Sequence, residues 1–195
     1  MKKILIIDAH PREASLTSSL VEAYAEGARA GGARADVLRL RDLEIDWTRY
    51  PWGRSQGLEP DVKRAQELIK EADHLVLAFP VFWGLYPALL KGFLDRVFLP
   101  GFAFESKGES GLPKKLLTGM TGRLIYTMDA PGFFHRFWYG QCVERALERA
   151  TFWYVGIKAK GRLSFHGTKG LTEEKAVSWL KKARAAGRAD AYCGC

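Results

Sequence analysis

Long apolar runs, metal-ligand spacings and nucleotide fingerprints are all missing from this 195-residue chain. No apolar stretch approaches the roughly 20 residues that cross a bilayer, so no membrane insertion is expected. The opening Met1-Lys-Lys-Ile-Leu-Ile-Ile-Asp8 begins like a signal peptide. Its apolar core is too short, Asp8 and His10 interrupt it, and no small-residue cleavage site follows, so it reads as a buried strand of a cytoplasmic protein. Cysteine is scarce. Cys142, Cys193 and Cys195 form neither a zinc pattern nor a disulfide framework, and no metal site is expected. Cys142 lies in a helical stretch and reads as a small buried hydrophobe. Cys193 and Cys195 end the chain, where order is rarely kept. Neither Gly-x-Gly-x-x-Gly nor Gly-x4-Gly-Lys-Ser/Thr occurs, which excludes the Rossmann fingerprint and the P-loop. With no repeat, low-complexity segment or linker, residues 1–195 read as one domain with a disordered tail of a few residues.

What is present is ordinary in bulk: 47% hydrophobic and 27% charged residues, as in soluble globular proteins. The 30 basic against 22 acidic residues give a net charge of +8. The basic residues are spread along the chain and alternate with acids, as in Glu144-Arg145 and Glu148-Arg149. The cluster from Lys181 to Arg188 is a solvated helix face, and no nucleic-acid partner is expected. The positive field still favours anionic, phosphorylated ligands.

Hydrophobic periodicity alternates strand with helix. Strands are expected over 3–8, 35–40, 75–79, 123–128 and 159–165. Helices are expected over 15–30, 61–72, 86–98, about 137–151 and 172–186. Gly31-Gly32 would stop the first helix, Thr172 would cap the last and Gly187 would end it. Such alternation implies a parallel sheet with helices on both faces, in the order 2-1-3-4-5. In that arrangement ligands bind at the carboxyl ends of strands one and three. The connections over 41–59, with Trp47, Tyr50 and Trp52, and over 99–121, with Lys107, Lys114 and Lys115, are long enough to be partner or substrate contacts.

Three of the expected strand ends carry chemistry-bearing loops. The first reads Asp8-Ala-His10-Pro11-Arg12-Glu-Ala-Ser15-Leu16-Thr17-Ser18-Ser19. It leads into a helix whose first N–H groups and dipole favour an anion, with hydroxyls and His10 and Arg12 as further donors. The plain alternative is that Ser15 or Thr17 only caps the helix and His10 is a surface histidine. The second, Pro80-Val81-Phe82-Trp83-Gly84, offers flat apolar surfaces and close backbone approach, which suits a planar ring; a core rim has the same composition. The third, from Thr127 through Gly132 to Tyr139, suits a wall beside such a ring or an aromatic cover for a subunit interface.

The segment from Pro80 to Phe98, continuing through Gly101-Phe-Ala-Phe104, resembles the signature of the NAD(P)H:quinone oxidoreductase family of flavodoxin-like flavoproteins. The first loop resembles that family's phosphate loop, His-Pro-x-x-x-Ser-aromatic-Asn/Thr, with Leu16 in place of the commoner Phe. The resemblance implies a non-covalent flavin: FMN, with FAD as the alternative. It implies a phosphate held by His10, Ser15, Leu16 and Thr17, and a ring beside Pro80, Val81, Phe82, Trp83, Gly84, Thr127 and Gly132. The family's charge-stabilising Tyr and His have Tyr139 and His135 as nearest counterparts, in altered order and spacing. NAD(P)H would be the electron donor, a quinone or similar electrophile the acceptor, and a homodimer the assembly. A regulatory subunit of a potassium-efflux system and a flavodoxin-type electron carrier are the alternatives, the latter opposed by the +8 charge.

Overall fold

The computed structural model describes residues 1–49, 57–105 and 112–192. Tyr50, Trp52, Lys107, Cys193 and Cys195 lie outside the described residues. Five parallel strands form the central sheet: β1 (Lys3–Asp8), β2 (Arg34–Arg39), β3 (His74–Pro80), β6 (Thr121–Met128) and β7 (Lys158–His166). They are ordered β2-β1-β3-β6-β7. Apart from a small antiparallel ribbon, β4 (Phe104–Glu105) and β5 (Lys114–Lys115), this is the expected 2-1-3-4-5 topology. Every residue of β3, the middle strand, is buried, as a strand covered on both faces requires.

Helices α1 (Leu16–Ala30) and α6 (Glu173–Tyr192) cover one face. Helices α2 (Pro60–Glu71) and α3 (Ala88–Val97) cover the other, together with a helix α5 over 142–155. The two cores lie either side of the sheet, one built on Ile4, Ile6, Val76 and Ile125, the other on Leu5, Ile7, Leu77 and Leu124. This split follows from the alternation of side chains along each strand. A single 3₁₀ turn, Leu40–Asp42, follows β2.

Two expectations need correction. The helix expected over about 137–151 is in fact two: α4 (Gly132–Phe137) and α5. Two consecutive left-handed residues, Gly140 (φ 58°) and Gln141 (φ 54°), break the path between them. Within α5 the stretch Arg145–Phe152 winds wider than an α-helix, with Trp153 N–H reaching Glu148 O. Nor does Gly187 end the last helix, which runs on to Tyr192. Gly187 is small for another reason: a Cβ there would sit 2.0 Å from Tyr24 O, and one on Gly27 1.9 Å from Arg184 O. The two glycines let α1 and α6 cross with backbones touching. The cap expected at Thr172 is present, its Oγ1 accepting Lys175 N–H at 3.3 Å.

Candidate active site

The carboxyl ends of β1, β3 and β6 converge on a cleft of about 300 Å³. It is lined by His10, Arg12, Ser15, Leu16, Thr17, Pro80, Val81, Phe82, Thr127, Met128, Asp129 and Thr168. The fold thus brings together eight of the residues expected at a ligand site, from three segments far apart in sequence.

The first loop is preset by hydrogen bonds. Ser15 is extended (φ −150°, ψ 156°) and its Oγ accepts Ser18 N–H, the geometry of an N-cap. The remaining first-turn N–H groups, those of Leu16 and Thr17, have no preceding helical carbonyl to bond and open toward the cleft end of α1. His10 is almost fully buried, and its Nδ1 accepts Arg12 N–H at 3.0 Å, leaving Nε2 to carry the proton. Burial lowers the His10 pKa below the ordinary histidine value, against the pull of Asp8, so the ring is a neutral donor. Thr17 Oγ1 meets Thr127 Oγ1 at 3.1 Å, tying the first loop to β6 across β3.

The second loop is a tight turn. Phe82 N–H donates to Leu85 O at 2.8 Å and Leu85 N–H to Phe82 O at 3.0 Å. Trp83 (φ 52°) and Gly84 (φ 79°) between them are both left-handed, as a type I′ turn requires. That conformation is strained for a tryptophan, and the side chain is wholly exposed. The N–H groups of Trp83 and Gly84 take no partner among the described residues. Two free donors and an exposed indole, next in the chain to the Pro80, Val81 and Phe82 that line the cleft, suit a binding loop.

These donors decide whether a flavin fits. A dianionic phosphate needs N–H and neutral donors at a helix start, and a ring carbonyl edge needs backbone N–H groups; both sets are present. The sequence profile of one family, described as flavodoxin-like fold, matches residues 2–187. The chain belongs to this flavodoxin-like family. Ribosyldihydronicotinamide dehydrogenase [quinone] of Mus musculus is 29% identical over 93% of this chain and 90% of its own length. General stress protein 14 of Bacillus subtilis is 33% identical over 68% of this chain and 69% of its own. Among solved structures, the NAD(P)H:quinone oxidoreductase from Methanothermobacter marburgensis has a TM-score of 0.80 at 21% identity, covering 99% of this chain and 98% of its own. An FMN-dependent NADH-azoreductase from Bacillus anthracis, in complex with FMN, has a TM-score of 0.75 at 22% identity, covering 98% and 100%. At such identities the two structures speak for the fold alone.

The other expected residues of this flavodoxin-like chain lie around the cleft rather than in its lining. Tyr139 is partly exposed beside the Trp83-Gly84 turn, where a Cβ on Gly84 would lie 3.9 Å from its ring. Gly132 opens α4, facing the His166 ring. His135 is buried, and its Nε2 lies 2.9 Å from Glu144 Oε2. Glu144 also accepts Tyr126 O–H at 2.6 Å and pairs with Arg162 at 3.0 Å. Burial pushes the Glu144 carboxyl up, but bonds from Tyr126, its own helix backbone and His135 outweigh it and hold the group below its usual range. Glu144 and Thr168 carried no signal in the sequence, because each acquires its neighbours only through the packing of separate elements, whereas Asp129 belongs to the third loop.

Proposed function

We propose that the protein is a flavin-dependent NAD(P)H oxidoreductase that passes hydride to quinones or similar electrophiles. The observation that carries this reading is the meeting, in one cleft, of the first turn of α1 with its free N–H groups, His10, Thr127 and the apolar Pro80, Val81 and Phe82, which lead directly into the Trp83-Gly84 turn and its two free N–H groups. The relatives' names support it. The flavin would accept hydride from the nicotinamide and deliver it to the acceptor.

FMN is preferred to FAD. The cleft's 300 Å³ is at the small end for ligand sites, enough for a phosphate and sugar-like chain with the ring at the open rim. His10, Ser15, Leu16 and Thr17 would hold the phosphate end, and Pro80, Val81 and Phe82 the ring's inner side. Trp83 and Gly84 would direct N–H groups at its carbonyl edge, with Thr127 and Gly132 opposite. Tyr139 stands nearest the reacting face. His135, held by Glu144, acts behind it rather than on the ring.

The exposed side chains of Phe133, Phe137 and Trp138 favour a homodimer that covers them, since contiguous apolar surface of this kind usually marks an interface. Trp47 packs one edge against Gly92 of α3 and keeps part of its ring exposed for such an interface.

Stopped-flow spectra of the purified protein test the function. NAD(P)H should bleach the flavin by two electrons, and benzoquinone should restore it, with parallel initial-rate lines. A long-lived semiquinone and direct cytochrome c reduction would instead favour an electron carrier. Failure to oxidise either nicotinamide with any quinone would leave the regulatory-subunit reading.

A further inference from the structure

Behind the first loop lies a carboxylate for which a phosphate site has no obvious use. Asp8 ends β1 and is wholly buried. Its Oδ1 accepts His10 N–H at 3.1 Å; its Oδ2 accepts the Ser18 hydroxyl at 2.8 Å and Arg41 Nη1 at 3.0 Å. Arg41, in the 3₁₀ turn after β2, is itself nearly buried and also donates to His10 O at 3.3 Å.

An ionised carboxylate only accepts hydrogen bonds, so its presence sets the direction of the whole chain of hydroxyls. Ser18 must donate to Asp8, and Ser15 in turn donates to Ser18 at 2.9 Å. Both serine protons therefore point inward. A ligand phosphate is left with the N–H groups of Leu16 and Thr17, the His10 Nε2–H and Arg12. The loop is thereby held in one donor pattern before any ligand arrives.

The same carboxylate would repel a phosphate a short distance beyond the serines, in a region where water screens poorly. Arg41 cancels that charge through its bond to Asp8 Oδ2, from a position beside Ser15 and Ser18. We propose that Asp8 and Arg41 are a positioning pair for the phosphate end of the flavin. Asp8 fixes the polarity of the loop, and Arg41 neutralises Asp8 so that a dianion can approach. Arg41 acts through Asp8 and His10, not by touching the ligand. The inference rests on the reading of the first loop as the phosphate site.

FMN and riboflavin, which differ by the phosphate alone, separate these roles. The flavin-free protein is titrated with each, following flavin fluorescence. The unaltered protein should prefer FMN. Arg41→Ala should weaken FMN about a hundredfold by leaving a buried charge unpaired, while riboflavin changes by less than about threefold. Asp8→Asn in the same chain should restore about tenfold of the lost FMN preference, because the repelling charge is gone. Arg41→Lys, which keeps the charge, should retain most of the preference and carries the test if Arg41→Ala does not fold. Equal loss of FMN and riboflavin in Arg41→Ala, no recovery in the double variant, or loss of the preference in a folded Arg41→Lys variant would overturn the pair's role. No FMN preference in the unaltered protein would overturn the phosphate-loop reading itself.

Discussion

A single carboxylate at residue 15 separates capping from ligand binding. Asp caps a helix about as well as Ser, so Ser15→Asp should leave α1 formed, at a cost of about 1 kcal/mol for the lost Ser15–Ser18 bond and the nearby Asp8 charge. The same substitution puts a negative charge where the phosphate would lie, at a helix start otherwise suited to an anion. FMN affinity should fall at least tenfold, measured by fluorescence titration beside a urea melt. Unchanged flavin retention would remove the first loop from the site. Trp83 poses the opposite trade. Asparagine tolerates the left-handed region far better, and Asn-Gly is the preferred pair for this turn. Trp83→Asn should therefore stabilise the flavin-free protein by about 1 kcal/mol while slowing quinone reduction. A loss of stability would show that the exposed indole packs on something the isolated chain does not contain.

At the scale of elements, two effects compete at Gly187. Alanine improves an interior helix position by about 1 kcal/mol. Its methyl, however, would overlap Tyr24 O at the crossing of α1 and α6, and overpacking against backbone costs roughly 3 kcal/mol. Gly187→Ala should therefore destabilise, lowering the urea midpoint; a rise would mean the helices slide apart freely. This residue also marks the limit of what sequence conveys. A glycine near a helix end reads the same whether it stops the helix or admits a neighbour, and only the crossing decides. Strand order was legible because the apolar runs and the helices between them leave few right-handed arrangements. Loops one and two were legible because their donors and rings are consecutive in the chain. The Asp8–Arg41 pair, 33 residues apart, and the Tyr126–Glu144–His135 cluster are formed by packing across elements. No local spacing announces them.

The molecule as a whole divides into two ends with different ionic character. At the carboxyl ends of the strands lies the proposed flavin cleft. At the opposite end, Asp190 of α6 anchors the last helix to the sheet. Its carboxylate accepts Tyr24 O–H at 2.6 Å and Arg123 at 2.5 and 2.9 Å, with His74 Nε2 at 3.4 Å. Burial opposes the charge on Asp190, but bonds from His74, Arg123 and Tyr24 prevail and hold its carboxyl well below the usual range. Burial lowers His74 from its ordinary 6.5, more strongly than Asp190 raises it, and lowers His10 and His166 in the same sense. A lowered pKa means that the unfolded chain takes up the proton first. Stability is therefore full above pH 6.5 and declines as pH falls from there to the folded values, by about 1.4 kcal/mol per pH unit for one fully differential proton. Asp190 adds a second decline once the unfolded carboxyl begins to protonate, near pH 4. On the alkaline side, burial and Asp190 raise Tyr24 well above its ordinary 10.0, so stability is again lost as pH climbs past 10. Urea unfolding of the flavin-free protein should accordingly give a plateau from about pH 6.5 to 10, with a falling limb already measurable at pH 5.5. The acid limb should be shallower in His74→Gln, which removes the buried imidazole. A midpoint unchanged between pH 7 and pH 5 would mean that these histidines are protonated as readily in the folded chain as in the unfolded one.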